Sequence, residues 1–181
     1  MARIEPVQED EADDEARALL VKVRTDFGRS WNVFSGLANN PAVLEGLLAM
    51  SAAQGRSGLS DAERELISIE MSRVNGCHYC VPAHRFVAAE LGFDREAMDA
   101  AARGEELPGD GCDAVLLRLV RRMTETRGKL DDAEFQASQD QGVTPAKMIA
   151  VIGEMAVCTV TNTFNRLAQT ELDAFLAPYD Y

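Results

Sequence analysis

Two helical patterns meet at Asn75-Gly76, and the second opens with Cys77, Cys80 and His84 in a C-x-x-C-x-x-x-H run. This junction stops the first helix, because Asn and Gly both tolerate the left-handed backbone that ends a helix. Upstream, Ser60 stands as an N-cap with Glu63 three residues on, the pattern of a capping box. Leu66, Ile67, Ile69, Met71 and Val74 supply the apolar positions of that first helix, and Ile69 widens the stripe beyond one narrow face. Downstream, Pro82 lacks an N–H and is tolerated only in a first turn. The second helix is therefore predicted to begin between His78 and Val81 and to end at Gly92.

That arrangement has chemical consequences. Cys77, Cys80 and His84 are spaced i, i+3, i+7, so a continuing helix brings them to one face. Cysteines three apart in such a turn approach disulfide distance, roughly 5 Å between Cα atoms. The unpaired N–H groups and partial positive charge of a helix start lower a thiol pKa, and the thiolate is the nucleophile. A nearby imidazole can take the thiol proton or return it to a leaving group. Glu65 lies twelve residues before Cys77, and an antiparallel packing of the two helices would fold its carboxylate back toward the thiols.

The stretch resembles the carboxymuconolactone decarboxylase superfamily, and within it the AhpD-like alkylhydroperoxidases. The resemblance rests on Glu65-Leu66-Ile67 followed by Asn75, Cys77, Tyr79, Cys80, Ala83 and His84, with looser agreement over Trp31–Met50 and at Asn165-Arg166-Leu167-Ala168. It implies an all-α, AhpD-like fold, with Cys80 as the peroxide-attacking thiol and Cys77 as the resolving one. It also implies a redox disulfide between the two and a proton relay of Glu65 and His84. The mycobacterial AhpD type has a second histidine between the cysteines, where this chain has Tyr79, a possible pocket residue; His78 is one position off. Decarboxylases of the superfamily lack the cysteine pair. A lipoyl-bearing protein is the external dithiol reductant that the resemblance suggests, and trimers or dimer-based hexamers are the assemblies.

The residues alone leave other readings open. A C-x-x-C with a nearby His also suits a zinc site, which would need a fourth ligand; Cys112 and Cys158 are too isolated in sequence to supply it. The cysteines could be inert core residues, as free Cys often is, and an acidic residue early in a helix, like Glu65, is commonly a solvated, dipole-friendly group. Thiol peroxidase is the function the pattern favours. The alternatives are a non-catalytic oligomeric redox sensor or interaction protein, and a decarboxylase or lactone-processing enzyme on the same scaffold. No metal, flavin or nicotinamide fingerprint is present, so no cofactor is expected.

Thirty acidic against 18 basic side chains give a formal net charge of -12, which repels nucleic acid and anionic membranes. No apolar run approaches the roughly 18 residues of a membrane span, and the acidic N-terminus shows no signal peptide. Four cysteines, two of them in a C-x-x-C, fit a reducing compartment, so a cytoplasmic location is expected.

A length of 181 residues suits a single domain over 1–181 with a loose or docking tail at about 1–10. Helices are expected over Glu11–Asp26 (ended by Gly28), briefly over Trp31–Leu37, from an Asn40-Pro41 start to about Gln54, and over Asp94–Ala102. A loop with Pro108 spans Glu105–Gly111, and helices follow over Asp113–Thr126 and Asp131–Gln141. Thr144-Pro145 opens a long last helix reaching Leu176, with a kink possible near Thr161-Asn162. Leu59-Ser60-x-Ala62 with Glu70-Met71 is echoed by Val143-Thr144-x-Ala146 with Glu154-Met155, a hint of a degenerate duplication in which Thr161 and Phe164 replace the cysteines. A last helix of about 30 residues would be roughly 45 Å long and would overhang the domain. With the apolar helix faces, it argues for a homo-oligomer, a trimer or hexamer before a dimer, with contacts through the terminal helices.

Overall fold

The computed structural model describes residues 2–107 and 111–180; Pro108, in the middle of the expected loop, lies outside the described residues. Among them the chain forms helices and no strand: α1 (Asp14–Phe27), α2 (Asn32–Leu37), α3 (Pro41–Gln54), α4 (Asp61–Val74), α5 (Cys80–Glu90), α6 (Arg95–Arg103), α7 (Cys112–Thr126), α8 (Asp132–Asp140), α9 (Pro145–Ala168) and a 3-10 helix (Ala174–Tyr179). The local rules that set these ends are visible. Asp13 caps α1 through Ala16 N–H at 2.8 Å, and Gly28 closes it with φ 71°. Asn40 and Pro41 open α3, and Ser60 and Glu63 complete the capping box of α4.

Helix α4 is the axis of the fold. Seven consecutive residues, Leu66 to Ser72, are buried, so it is covered on every side by α5, α6, α7 and α9. This is why Ile69 broke the narrow stripe: it packs with Leu66, Ala88, Met98 and Leu117, whereas Ile67 and Met71 join the α7 and α9 side. Glu70 is fully buried and is held by Arg73 at 2.6 Å and Arg121 at 2.8 Å, which ties α4 to α7. Toward α9, polar side chains meet in pairs: Arg64 with Glu154, Ser68 with Cys158, and Ser72 with Asn162. The partners advance together along both helices, about one turn per step. The two helices therefore run parallel, and the intervening helices form the return connection.

The N-terminal tail docks. Val7 N–H donates to Ser35 at 2.9 Å, and the Val7 side chain packs against the core built by α1, α2, α3 and α5.

Two expectations about the last helix are corrected. α9 ends at Ala168 and not at Leu176, because Gln169 takes a left-handed conformation (φ 51°) and the chain turns back. Twenty-four residues make a helix of about 36 Å, so the argued overhang is smaller. There is no break at Thr161-Asn162: the helix runs through both, and Thr159 and Thr161 donate their hydroxyls to carbonyls one turn back. Thr161 and Phe164 thus lie inside a continuous helix, and the second copy of the suspected repeat has no turn equivalent to Gly76. The folded-back segment is anchored by Leu176, fully buried, and by Phe175, which meets Trp31 edge-on at 4.9 Å. Among the described residues no single helix is long and apolar enough to cross a membrane.

Candidate active site

A helix-ending motif places the first cysteine. Asn75 keeps right-handed backbone, and Gly76 alone turns left-handed, with φ 64°. Cys77 N–H then reaches back to Ser72 O at 2.9 Å and Gly76 N–H to Arg73 O at 3.0 Å, the paired bonds of a Schellman motif. Cys77 thereby stands just ahead of α5, which begins at Cys80, within the expected range. No side-chain oxygen caps α5; instead Cys80 N–H donates to Cys77 Sγ at 3.2 Å. The sulfur of Cys77 takes up one of the unpaired N–H groups at the positive end of the helix.

Cys77 and Cys80 are joined as a disulfide with Cα atoms 5.4 Å apart. Both are buried, but of the two only Cys80 lines a cavity of about 340 Å³ beside the pair. Its walls are largely apolar, with Phe27, Trp31, Phe34, Leu48 and Val87 among them, and its polar groups include Glu65, His84, Arg64 and Glu154.

The antiparallel return of α5 along α4 brings Glu65 to His84, with Oε2 2.9 Å from Nδ1. Burial works against a charged His84, yet the Glu65 carboxylate beside it, with help from Glu154, outweighs that cost and holds its pKa above the ordinary histidine value. With Nδ1–H given to Glu65, Nε2 is the nitrogen left for proton exchange. Arg64 donates to Glu154 at 2.8 Å, so this carboxylate of the cavity is ion-paired.

The other sequence candidates separate clearly. Tyr79 is buried and lines the cavity, but its hydroxyl donates to Asp173 in the folded-back C-terminal segment. Burial, with the Asp173 charge beside it, pushes its pKa well above the usual phenol value, so it is a proton holder at neutral pH. His78 is exposed, its Nε2 2.9 Å from Thr170 O, and is turned toward the same segment. Cys158 is buried against Ser68, and desolvation pushes its thiol up to about 12. Cys112 lies 3.2 Å from Lys147 Nζ, which also pairs with Glu63, away from the cavity. Among the described residues no three His, Cys, Asp or Glu side chains gather as a metal would require. Sequence reasoning gave site roles to Glu65, Tyr79, Cys80 and His84 of this cavity and none to Arg64, Glu154 and Asn165, which also line it. The Asn165-Arg166-Leu167-Ala168 run pointed to the place, but only the packing of α9 on α4 brings Asn165 to within 3.3 Å of Cys80 Sγ.

Known proteins resemble this chain in part of its sequence and in its fold. Residues 41–125, which include Glu65, both cysteines of the pair and His84, match the model of the carboxymuconolactone decarboxylase family. An alkyl hydroperoxide reductase AhpD of Methylobacterium sp. (strain 4-46) is 42% identical over 72 residues, which are 39% of this chain and 40% of that protein. The chain thus spans about two fifths of the length of this curated relative. Similarity of fold runs further. The crystal structure of an alkylhydroperoxidase AhpD core, a peroxidase-related protein from Ralstonia eutropha JMP134, matches with a TM-score of 0.84 at 21% identity, covering 97% of this chain and 94% of that one. A variant of the debrominase Bmp8 in complex with 2,3,4-tribromopyrrole matches with a TM-score of 0.81 at 14% identity, covering 97% and 94%. The match to the carboxymuconolactone decarboxylase family thus covers residues 41–125, a little under half of the chain, while the likeness to the AhpD core shows that the helical fold is shared from end to end.

Proposed function

We propose that the protein is a thiol-dependent peroxidase that reduces organic hydroperoxides through Cys80 and Cys77. The observation that carries this reading is the placement of Cys80: of the two sulfurs, only its residue faces the apolar cavity that also holds the Glu65–His84 pair. In the reduced protein His84 takes the Cys80 proton, and the thiolate attacks the distal peroxide oxygen. An S–O bond forms, the O–O bond breaks, and the alkoxide leaves as the alcohol with the proton from His84. Cys77 then attacks the sulfenic sulfur, forming the disulfide and releasing water. An external dithiol, such as a lipoyl group, restores both thiols by exchange. That cycle requires a supply of reductant, which a reducing compartment such as the cytoplasm provides.

The test is steady-state hydroperoxide consumption with several dithiols, dihydrolipoamide among them; consumption is expected to depend on the dithiol. A related expectation concerns the thiols themselves. Because Cys77 sulfur accepts a helix-start N–H, at least one thiol of the reduced protein should titrate below the ordinary cysteine value of about 8.5. Thiolate absorbance against pH measures this, and two thiols titrating at or above that value would remove the basis for activation.

The aromatic walls favour a second reading, in which the same dithiol removes a halogen from a flat aromatic ligand, as the fold of the debrominase neighbour invites comparison. The dithiol would supply two electrons, the ring would gain hydrogen, and halide would leave with disulfide formation. Release of bromide from a bromopyrrole, with no hydroperoxide consumption, would favour it.

Assembly belongs to the same proposal. Ile149, Ile152, Val160 and Leu167 share one face of α9 and are 69%, 53%, 37% and 61% exposed. Covering this stripe with a second copy of the chain gives a homo-oligomer, with a trimer or hexamer favoured over a dimer. Light scattering at micromolar concentration should give a multiple of the 19.7 kDa chain mass; the mass of a single chain would contradict it.

A further inference from the structure

Asn165 sits in the last turn of α9, with its side chain buried to 1% exposure. Its Nδ2 donates to Cys80 Sγ at 3.3 Å, while its Oδ1 is buried with no hydrogen-bond partner. The residue also lines the cavity beside Glu65 and His84. Leaving a buried amide oxygen unpaired is costly, and native structures rarely do so without a reason. The orientation has a cause: a disulfide sulfur offers lone pairs and no hydrogen, so the amide faces it with N–H and turns its oxygen away. Ser72 and Asn75 engage Asn162 one turn earlier in α9, which leaves Asn165 as the amide that reaches the redox pair.

We propose that Asn165 is a catalytic residue with two jobs: Nδ2 holds the Cys80 sulfur as a thiolate, and Oδ1 receives the O–H of the hydroperoxide. This rests on the peroxidase reading for the identity of the substrate, but not for the contact with sulfur. Both atoms belong to one planar group, so the sulfur and the distal oxygen are held side by side before reaction. The thiolate electron pair forms the S–O bond to that oxygen, the O–O bond breaks, and the alkoxide takes its proton through His84. The distal oxygen keeps its hydrogen throughout, so the sulfenic acid formed on Cys80 can still donate to Oδ1 until Cys77 displaces the hydroxyl as water. An N–H aimed at the anionic sulfur is the counterpart of an oxyanion-hole donor.

The experiment uses the reduced full chain carrying Cys77→Ser, with and without Asn165→Asp or Asn165→Ala. The rate of Cys80 alkylation by iodoacetamide against pH gives the thiol midpoint. Loss of the amide donor should raise that midpoint by roughly one to two pH units. In the chain with both cysteines, the same substitutions should slow hydroperoxide consumption roughly 10- to 100-fold. A midpoint that does not move overturns the assignment of Asn165 to the sulfur. Alkylation involves no peroxide, so a parent protein that alkylates as described yet consumes no hydroperoxide sinks the peroxidase reading instead, and with it the role of Oδ1. Should the substituted chains fail to fold, the parent itself decides: in ¹⁵N NMR the Asn165 side-chain amide signals should shift with the same midpoint as the thiolate absorbance. Signals that stay fixed through that titration overturn the proposal.

Discussion

Cys80→Ser should abolish hydroperoxide consumption outright, whereas Cys77→Ser should still permit one attack per chain. The asymmetry follows from access to the cavity. Cys80 lines the cavity, while Cys77 is enclosed and its sulfur is occupied by the Cys80 N–H. Of the two paired sulfurs, a substrate that enters the cavity meets that of Cys80. Without Cys77 the sulfenic acid on Cys80 has no resolving partner, so it should persist and be labelled by a sulfenic-acid trapping reagent. Cys158 will not replace Cys77, because its buried thiol is pushed up to about 12 and is bonded to Ser68. Peptide mapping of the trapped adduct checks the assignment. A label on Cys77 in the Cys80→Ser protein would reverse attacker and resolver.

Glu65→Gln and His84→Gln should each slow turnover roughly 10²- to 10⁴-fold, the usual range for general acid–base help. The doubly substituted protein should lose much less than the product of the two, since a 2.9 Å pair acts as a unit. The pH dependence separates the pair from a surface charge. Glu65 raises the His84 pKa, so the imidazolium persists above the ordinary value of about 6.5 and proton delivery fades as pH rises through the raised value. Glu65→Gln should move that fall to lower pH. Stability follows the same linkage. A histidine whose folded pKa is raised contributes stability that is fully present below about 6.5 and is lost as pH rises through the folded value. The difference in denaturation midpoint between the parent and Glu65→Gln should therefore shrink as the solution is made alkaline. A difference that grows with pH would contradict the pairing.

The parts of this molecule governed by short-range rules were legible in the sequence. Asn40-Pro41 and Ser60–Glu63 set helix starts, and Gly76 set the turn that returns α5 along α4. Once that turn is known, the meeting of Glu65 with His84 follows from helix geometry alone. What escaped came from distant chain. Asp173, which takes the Tyr79 hydroxyl, and Asn165, which reaches Cys80, approach from 94 and 85 residues away. No local pattern encodes those distances. The end of α9 was missed for a different reason: Gln169 adopts a left-handed conformation that side chains other than Gly and Asn seldom take, so no stop signal was written there. Tertiary contacts of Phe175 and Leu176 with the core hold the reversal in place. Ile69 shows the converse case, where an irregular stripe carried information. A helix apolar on more than one side is one that is covered on more than one side.

The most direct test of the account is a single turnover. Fully reduced protein, freed of external thiol, is mixed with one equivalent of an organic hydroperoxide, and the protein and the small-molecule products are analysed by mass. The account predicts one alcohol released for each Cys77–Cys80 disulfide formed, with Cys112 and Cys158 still carrying free thiols. Hydroperoxide that survives unreacted, or a disulfide that forms without a matching alcohol, would contradict it.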